Sequence, residues 1–433
     1  MNLKSWGILV LMVMCANLVD AKDWPGFRGG AYQGRSPETH VPQRWSDTEN
    51  LSWKAVLPGF GSSSPIVVRG RVYVTCYSGY GLDKDNPGDP NQLERHVLCY
   101  KGSNGQPLWK RSYKAVQPEL PYKGMLREHG YASSTPVSDS RHLYVFLGKN
   151  GIFAYDLNGK VLWQANVGTG SDKKKWGSAT SLVLHKDLLI VNAWDESKKL
   201  IALNKITGQP VWEKDLSKTG LIYGTPVVAH LSNNATELIL VLPTQVWGLA
   251  LDTGEQLWTV NTSMKDSTLS TPVVVDDVVY AYGGGPGSLM GMAIRLGGRG
   301  DVTKTHVVWS GKDAVSGPSP VVVGEHLYWV DSSGKACCQN MKTGKLEYTR
   351  NLPGAGRFAV YASVIEAEGR IYAVSRKGEA FVLPAKPRFR ILARNSLASD
   401  ESDFNGSPAV SSSKIYMRSN RFLYCIALKP QPR

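Results

Sequence analysis

The chain has 433 residues and a formal net charge of +14, with 42% hydrophobic and 20% charged residues. That charge favours acidic partners such as polyanionic glycans or anionic lipid. The basic residues are scattered except for Lys173-Lys174-Lys175, which argues for a solvated basic surface and against a nucleic-acid site.

The first element is a targeting segment, expected over residues 1–21. Lys4 gives a short positive region, Trp6 to Met14 an apolar run, and Val19-Asp20-Ala21 a small-x-small cleavage site. The run is too short to span a bilayer, and no later segment approaches that length. Met14 stands before Cys15 where lipidation needs a small residue, so the mature chain is expected to be released into the periplasm or outside the cell. A lead segment over 22–50 follows.

From residue 51 to 428 one unit recurs. Small residues and Pro open a β-branched strand, an aromatic-rich strand follows, then a strand with a small residue, a Thr-Gly-type turn and a Trp strand. The fullest copies run from Gly224-Thr-Pro-Val-Val to Trp258, and from Ser270-Thr-Pro-Val-Val to Trp309. The opening Pro falls at 65, 136, 226, 272, 320 and 408, with Ser181 and Ser363 read into the same column. Steps of 71, 45, 45, 46, 48, 43 and 45 residues result, matching four-stranded propeller blades of about 40–50 residues. The fold class is therefore an all-β, eight-bladed β-propeller.

The Trp column holds Trp109, Trp163, Trp212, Trp258 and Trp309, with Tyr348 and Ile391 as substitutes. The last unit ends without such a strand, and Leu51 to Val56, carrying Trp53, supplies it. The N-terminal strand thus completes the last blade and closes the ring, leaving no open sheet edge. A small-residue column runs Cys99, Ala154, Ala202, Ala250, Ala293, Cys338 and Ala427, with Val382 as the exception. Residues 429–433 form a tail.

These columns, with Trp-Pro-Gly-Phe-Arg-Gly at 24–29, resemble the pyrroloquinoline-quinone (PQQ)-like, or quinoprotein-type, propeller repeat family. Its members include quinoprotein alcohol dehydrogenases and the propeller lipoprotein of the outer-membrane barrel assembly machinery. The resemblance covers nearly all of the mature chain. It implies the fold but no single activity, because one architecture serves several roles. The dehydrogenases carry PQQ beside a calcium, an Asp base and a vicinal disulfide. Cys337-Cys338 fits that disulfide by adjacency, yet Cys338 occupies the small-residue column of a regular strand. Both are read as packing thiols.

Cys76 and Cys99, on consecutive strands of the first blade, are able to pair. No zinc or redox Cys spacing and no zinc-hydrolase His motif occurs. Asp83, Asp85 and Glu94 take the first, third and twelfth places of a calcium-loop pattern, but Pro87 replaces the ligand at the fifth. The segment reads as a solvated insertion.

The two longest connections, 79–95 and 113–132, should emerge on one face. The interblade connections bring Phe60, Arg127, Glu128, His129, Lys175, Trp176, Tyr223, Asp266, Asp313, Arg357, Phe358, Asp403 and Asn405 to the mouth of the central channel. Of these, Arg127, His129, Trp176, Tyr223, Arg357, Phe358 and Asp403 are the candidate ligand-binding rim. The expected function is a non-catalytic ligand-binding or protein-interaction module, its partner an envelope or extracellular protein, a peptide or a polyanionic glycan. A PQQ-dependent dehydrogenase and an envelope assembly scaffold are the alternatives.

Overall fold

The computed structural model describes residues 23–315 and 317–429; the expected targeting segment, Cys15 and the end of the tail lie outside them. It is an eight-bladed propeller of four-stranded antiparallel blades. Blade 1 contains Ile66–Val68, Arg71–Ser78, Glu94–Lys101 and Pro107–Lys114. Blade 8 takes Ala409–Ser411, Lys414–Arg418 and Phe422–Ile426 from the C-terminal end, and Leu51–Val56 from the N-terminal end as its outer strand. Among the described residues no helix is long and apolar enough to cross a membrane.

The Trp column packs between blades, as the repeat implied. In blades 1 and 2 the pairing rows are Tyr73–Cys99–Trp109 and Tyr144–Ala154–Trp163. The small third-strand residue leaves room for the indole, which tilts onto the second-strand Tyr at about 6 Å between centroids. The indole N–H then reaches the next blade. Trp53, Trp109, Trp163, Trp212 and Trp309 donate to the carbonyls of Gly102, Leu157, Lys205, Leu251 and Met341 at 2.7–3.0 Å. In each receiving turn a Gly lies under the ring. A Cβ on Gly208, whose φ is +71°, would stand 2.6 Å from Trp163. Trp163→Phe keeps the packing and removes the bond, so it should lower the unfolding free energy by about 1 kcal/mol in urea titration.

Three assignments in the columns are corrected by register. Blade 4 pairs Ile239 with Gly248 and Trp258, so Gly248 and not Ala250 is the small residue. Blade 8 pairs Tyr416 with Cys425 and Trp53, so Cys425 replaces Ala427. In blades 1, 3, 4 and 6 this column lies six residues before the turn glycine, a spacing that Gly248 keeps and Ala250 does not. In blade 7 the outer strand is only Ala393–Asn395, and Ala393, not Ile391, holds the Trp place. The missing ring comes from the lead segment: Trp45, 3% exposed, stacks on Tyr372 with 6.4 Å between centroids.

Ser181 and Ser363 also shift. Leu182 and Val364 occupy the Pro column, and the two serines align with the hydroxyl residue before it. That residue builds a closed belt around the channel. The N–H of Ser64 donates to Thr135 Oγ1, Thr135 to Ser181, Ser181 to Thr225 and Thr225 to Thr271. Thr271 continues to Ser319, Ser319 to Ser363, Ser363 to Ser407, and Ser407 returns to Ser64, all at 2.9–3.3 Å. Inner strands have one edge outside their own blade's ladder, and the belt satisfies a buried amide beside that edge in every blade.

The five cysteines among the described residues are free and buried. Cys76 pairs across the ladder with His96, and Cys99 with Tyr73. The two cysteines are thus three rows apart on opposite sheet faces, because side chains alternate along a strand, and the expected cross-strand pairing does not form. Cys337 and Cys338 lie in the regular strand Lys335–Asn340 of blade 6, opposite Trp329 and Tyr328. Burial raises both thiols, to about 11 and about 12.

Candidate functional site

Connections between second and third strands and connections between blades meet on one face, as the loop count required. On blade 1 the two insertions pack on each other. Tyr77, Tyr80, Tyr122 and Tyr131 form their shared core with Leu93, Leu120 and Leu126. Tyr80 Oη accepts the N–H of Tyr122 at 2.9 Å, joining one insertion to the other. Glu119 anchors the second insertion to Arg95, a pair 3% and 5% exposed, while the Arg95 guanidinium also reaches Asn150 and the Tyr131 carbonyl. Two desolvated charges are tolerable here because each is hydrogen-bonded. The result is a fixed cap.

Under its edge lies a cavity of about 230 Å³, lined by Phe60, Tyr77, Tyr122, Lys84, Arg127, Glu128, His129, Glu401, Ser402 and Asp403 among others. Three of the expected rim residues, Arg127, His129 and Asp403, therefore meet at one place. Their roles differ. Arg127 Nη2 holds the carbonyl of Lys84. His129 is tied between Ser133 Oγ at 2.7 Å and the Trp176 carbonyl at 2.9 Å. Burial holds its imidazole below the usual range, so it braces the cavity as a neutral ring. Asp403 is paired with Arg376 Nη2 at 2.8 Å.

Arg376 was not singled out in the sequence. It lies in the turn between second and third strands of blade 7, and it also binds Glu128 at 2.7 Å and Asn405 at 3.1 Å. One guanidinium thus ties the blade 1–2 connection to the blade 7–8 connection across the ring seam, with its flat face 4.7 Å from the Tyr361 ring centroid. The turn type was the available signal, since this connection emerges on the same face as the rim.

Trp176 and Tyr223 form a second group, stacked at 5.5 Å and 26°. Tyr223 donates its hydroxyl to Asp172 at 2.7 Å, and Asp172 also accepts the N–H groups of Lys175 and Trp176. Burial opposes ionisation of Asp172, but the bonds from Tyr223 and Asp195 and from the loop amides win and hold it low. Asp195 and Glu196, from the helical turn Trp194–Ser197 of blade 3, behave oppositely. Burial and the adjacent Glu196 raise Asp195 to about 8, and burial raises Glu196 to about 7. Arg357 and Phe358 make a third, outer group, with the guanidinium 4.8 Å from the ring centroid. Phe358 is 36% exposed and has φ of +57°.

The acidic residues read as a calcium loop are placed apart in role. Asp83 accepts the N–H groups of Asp85 and Asn86, which lowers its pKa. Glu94 opens a strand opposite Ser78. Among the described residues no group of three or more His, Cys, Asp or Glu side chains could hold a metal ion. Cys337 and Cys338 are unbonded in blade 6, so the vicinal disulfide that the resemblance suggested is not formed.

The family model described as outer membrane protein assembly factor BamB matches residues 44–173, 91–235, 149–300 and 236–431 in overlapping windows. The chain belongs to this family. BamB from Moraxella catarrhalis is similar in structure, with a TM-score of 0.60 and 13% identity over 88% of this chain and 98% of that one. The computationally designed Ika8 protein matches at a TM-score of 0.57 and 10% identity, covering 87% of this chain and 99% of its own. The quinohemoprotein alcohol dehydrogenase ADHIIG from Pseudomonas putida HK5 matches at 0.51 and 13% identity, covering 95% of this chain and 82% of its own. Likeness at these identities carries the fold alone. No curated protein matches the chain in sequence.

Proposed function

We propose that this PQQ-like repeat propeller is an exported, non-catalytic interaction module whose funnel face receives a peptide or protein segment of the cell envelope. The observation that carries this reading is the cavity beside the cap. At about 230 Å³ it is smaller than the roughly 300–1,000 Å³ of most small-molecule sites, and it suits one anchoring side chain of a partner. Aromatic walls from Phe60, Tyr77 and Tyr122, with Lys84, Arg127, Glu128 and Asp403 at the edge, offer an apolar seat inside a charged rim. Membership of a family named for outer membrane protein assembly supports an envelope location and a protein partner.

A photo-crosslinking residue at Leu82, which lines the cavity and is 38% exposed, should capture a discrete envelope protein in cells. The same residue at Val308, on the outer rim of blade 5, should not. Arg127→Glu should weaken the captured complex about tenfold, or about 1.4 kcal/mol. Equal capture from both positions would overturn the reading. So would stoichiometric uptake of PQQ by the purified protein with calcium, which would favour the dehydrogenase alternative.

A further inference from the structure

The lead segment does more than connect. Residues 23–38 run across the end of the channel and bond to the free edges of inner strands around the ring. Trp24 exchanges two backbone bonds with Val67 of blade 1, and Pro25 accepts the N–H of Ser138 of blade 2. Tyr32 Oη accepts the N–H of Leu184 of blade 3, and Gln33 Nε2 donates to Val274 of blade 5. Arg35–Ser36 pairs in parallel with Ile365–Ala367 of blade 7, and Glu38 accepts the N–H groups of Ser412 and Ser413 of blade 8. The segment is a plug.

Within it, the Arg28 side chain reaches the inner strand of blade 6. The residue is 1% exposed. Its Nη2 binds the carbonyls of Gln33 and of Pro320, the residue after belt member Ser319. Gly34 crosses the guanidinium so closely that a Cβ there would lie 3.0–3.1 Å from Nη2 and Nε, and 3.2 Å from the Val364 carbonyl. Val364 in turn follows belt member Ser363. The cation therefore sits one residue below the belt, at blades 6 and 7.

Two features of this place point to a ligand. No carboxylate pairs with Arg28 among the described residues, and its Nε and Nη1 have no hydrogen-bond partner. The nearby inner-strand acid, Glu366, is already held by Arg35 and by the Gly369 N–H. Burial without a counter-charge lowers the guanidinium to about 9, and an isolated buried cation is costly unless compensated. Directly above, each of the eight belt oxygens accepts an amide proton, which leaves its own O–H to donate off the belt. Two unsatisfied guanidinium nitrogens, Nε and Nη1, thus lie one residue below a ring of hydroxyl donors.

We propose that the channel axis between the Ser/Thr belt and Arg28 binds a small inorganic anion of the halide class. The belt residues are at most 4% exposed and the plug closes the channel below them, so the anion enters along the axis and must be compact. This site is separate from the funnel cavity and does not rest on the interaction reading.

Melting temperature in sodium bromide should exceed that in sodium gluconate at equal ionic strength, because gluconate is too large to enter. The difference should vanish in Arg28→Gln and shrink several-fold in Ser319→Ala. Crystals of the unmodified protein grown in bromide should show an anomalous peak on the axis, within hydrogen-bond reach of Arg28. Equal melting in the two salts, an unchanged bromide response in Arg28→Gln, or an axis without anomalous signal would each overturn the proposal. The bromide map decides the matter even where the Arg28 variant fails to fold.

Discussion

Trp45→Ala should lower the unfolding free energy by about 3–5 kcal/mol, the usual range for deleting a buried aromatic, although the residue lies outside every blade strand. Trp45 is 3% exposed and takes the ring position that Ala393 leaves empty in blade 7. Its backbone N–H donates to Asn395 Oδ1 at 3.0 Å, and Asn395 returns a bond to the Gln43 carbonyl. The alanine variant would open a cavity against Tyr372 and free the three-residue outer strand. Trp45→Phe should cost far less, since the indole N–H has no hydrogen-bond partner and its loss leaves nothing newly unsatisfied. Urea midpoints of the two variants check this. An alanine variant within about 1 kcal/mol of the parent would show that the lead segment does not share the blade core.

Asp195→Asn should stabilise the protein above pH 7 and flatten its loss of stability with rising pH. Asp195 and Glu196 are raised to about 8 and about 7 from ordinary values near 4. An acid with a raised folded pKa keeps its proton while the unfolded chain releases it. The folded state then holds more protons, so stability falls as pH rises from about 4 through the folded values. Asparagine mimics the protonated acid, keeps an oxygen to accept the Asp172 N–H at 2.8 Å, and carries no charge to desolvate. A gain of at least about 1 kcal/mol at pH 8 is expected, with little change at pH 4. Equal slopes of melting temperature against pH in both proteins would show that the carboxyl is ionised in the fold.

The repeat was legible because the same packing problem is solved eight times. A blade face needs a small residue opposite a ring, and a turn glycine beneath the ring of the blade before it, so Cys99 with Trp109 and Gly208 with Trp163 leave fixed spacings in the chain. Where a blade solves the problem with a residue from elsewhere, the spacing fails. Ile391 stands nearest the Trp place in the sequence of blade 7 because nothing local marks Trp45, more than three hundred positions away, as its ring.

The rim divides in the same way. Connection types set which loops share a face, so Arg127, His129 and Asp403 could be assigned to one end of the channel from their order alone. Whether each side chain is free or spent depends on groups far apart in sequence. His129 is fixed by the Trp176 carbonyl, and Asp403 by Arg376. Arg28 is the extreme case, an ordinary basic residue in a lead segment that only the closed ring turns into a buried axial cation. Local periodicity determined the propeller, its eight blades and the strand that closes them, because backbone pairing and blade-to-blade packing repeat with the chain. The tertiary structure alone decided the plug and the partners of each rim charge, because these join residues whose separation carries no period.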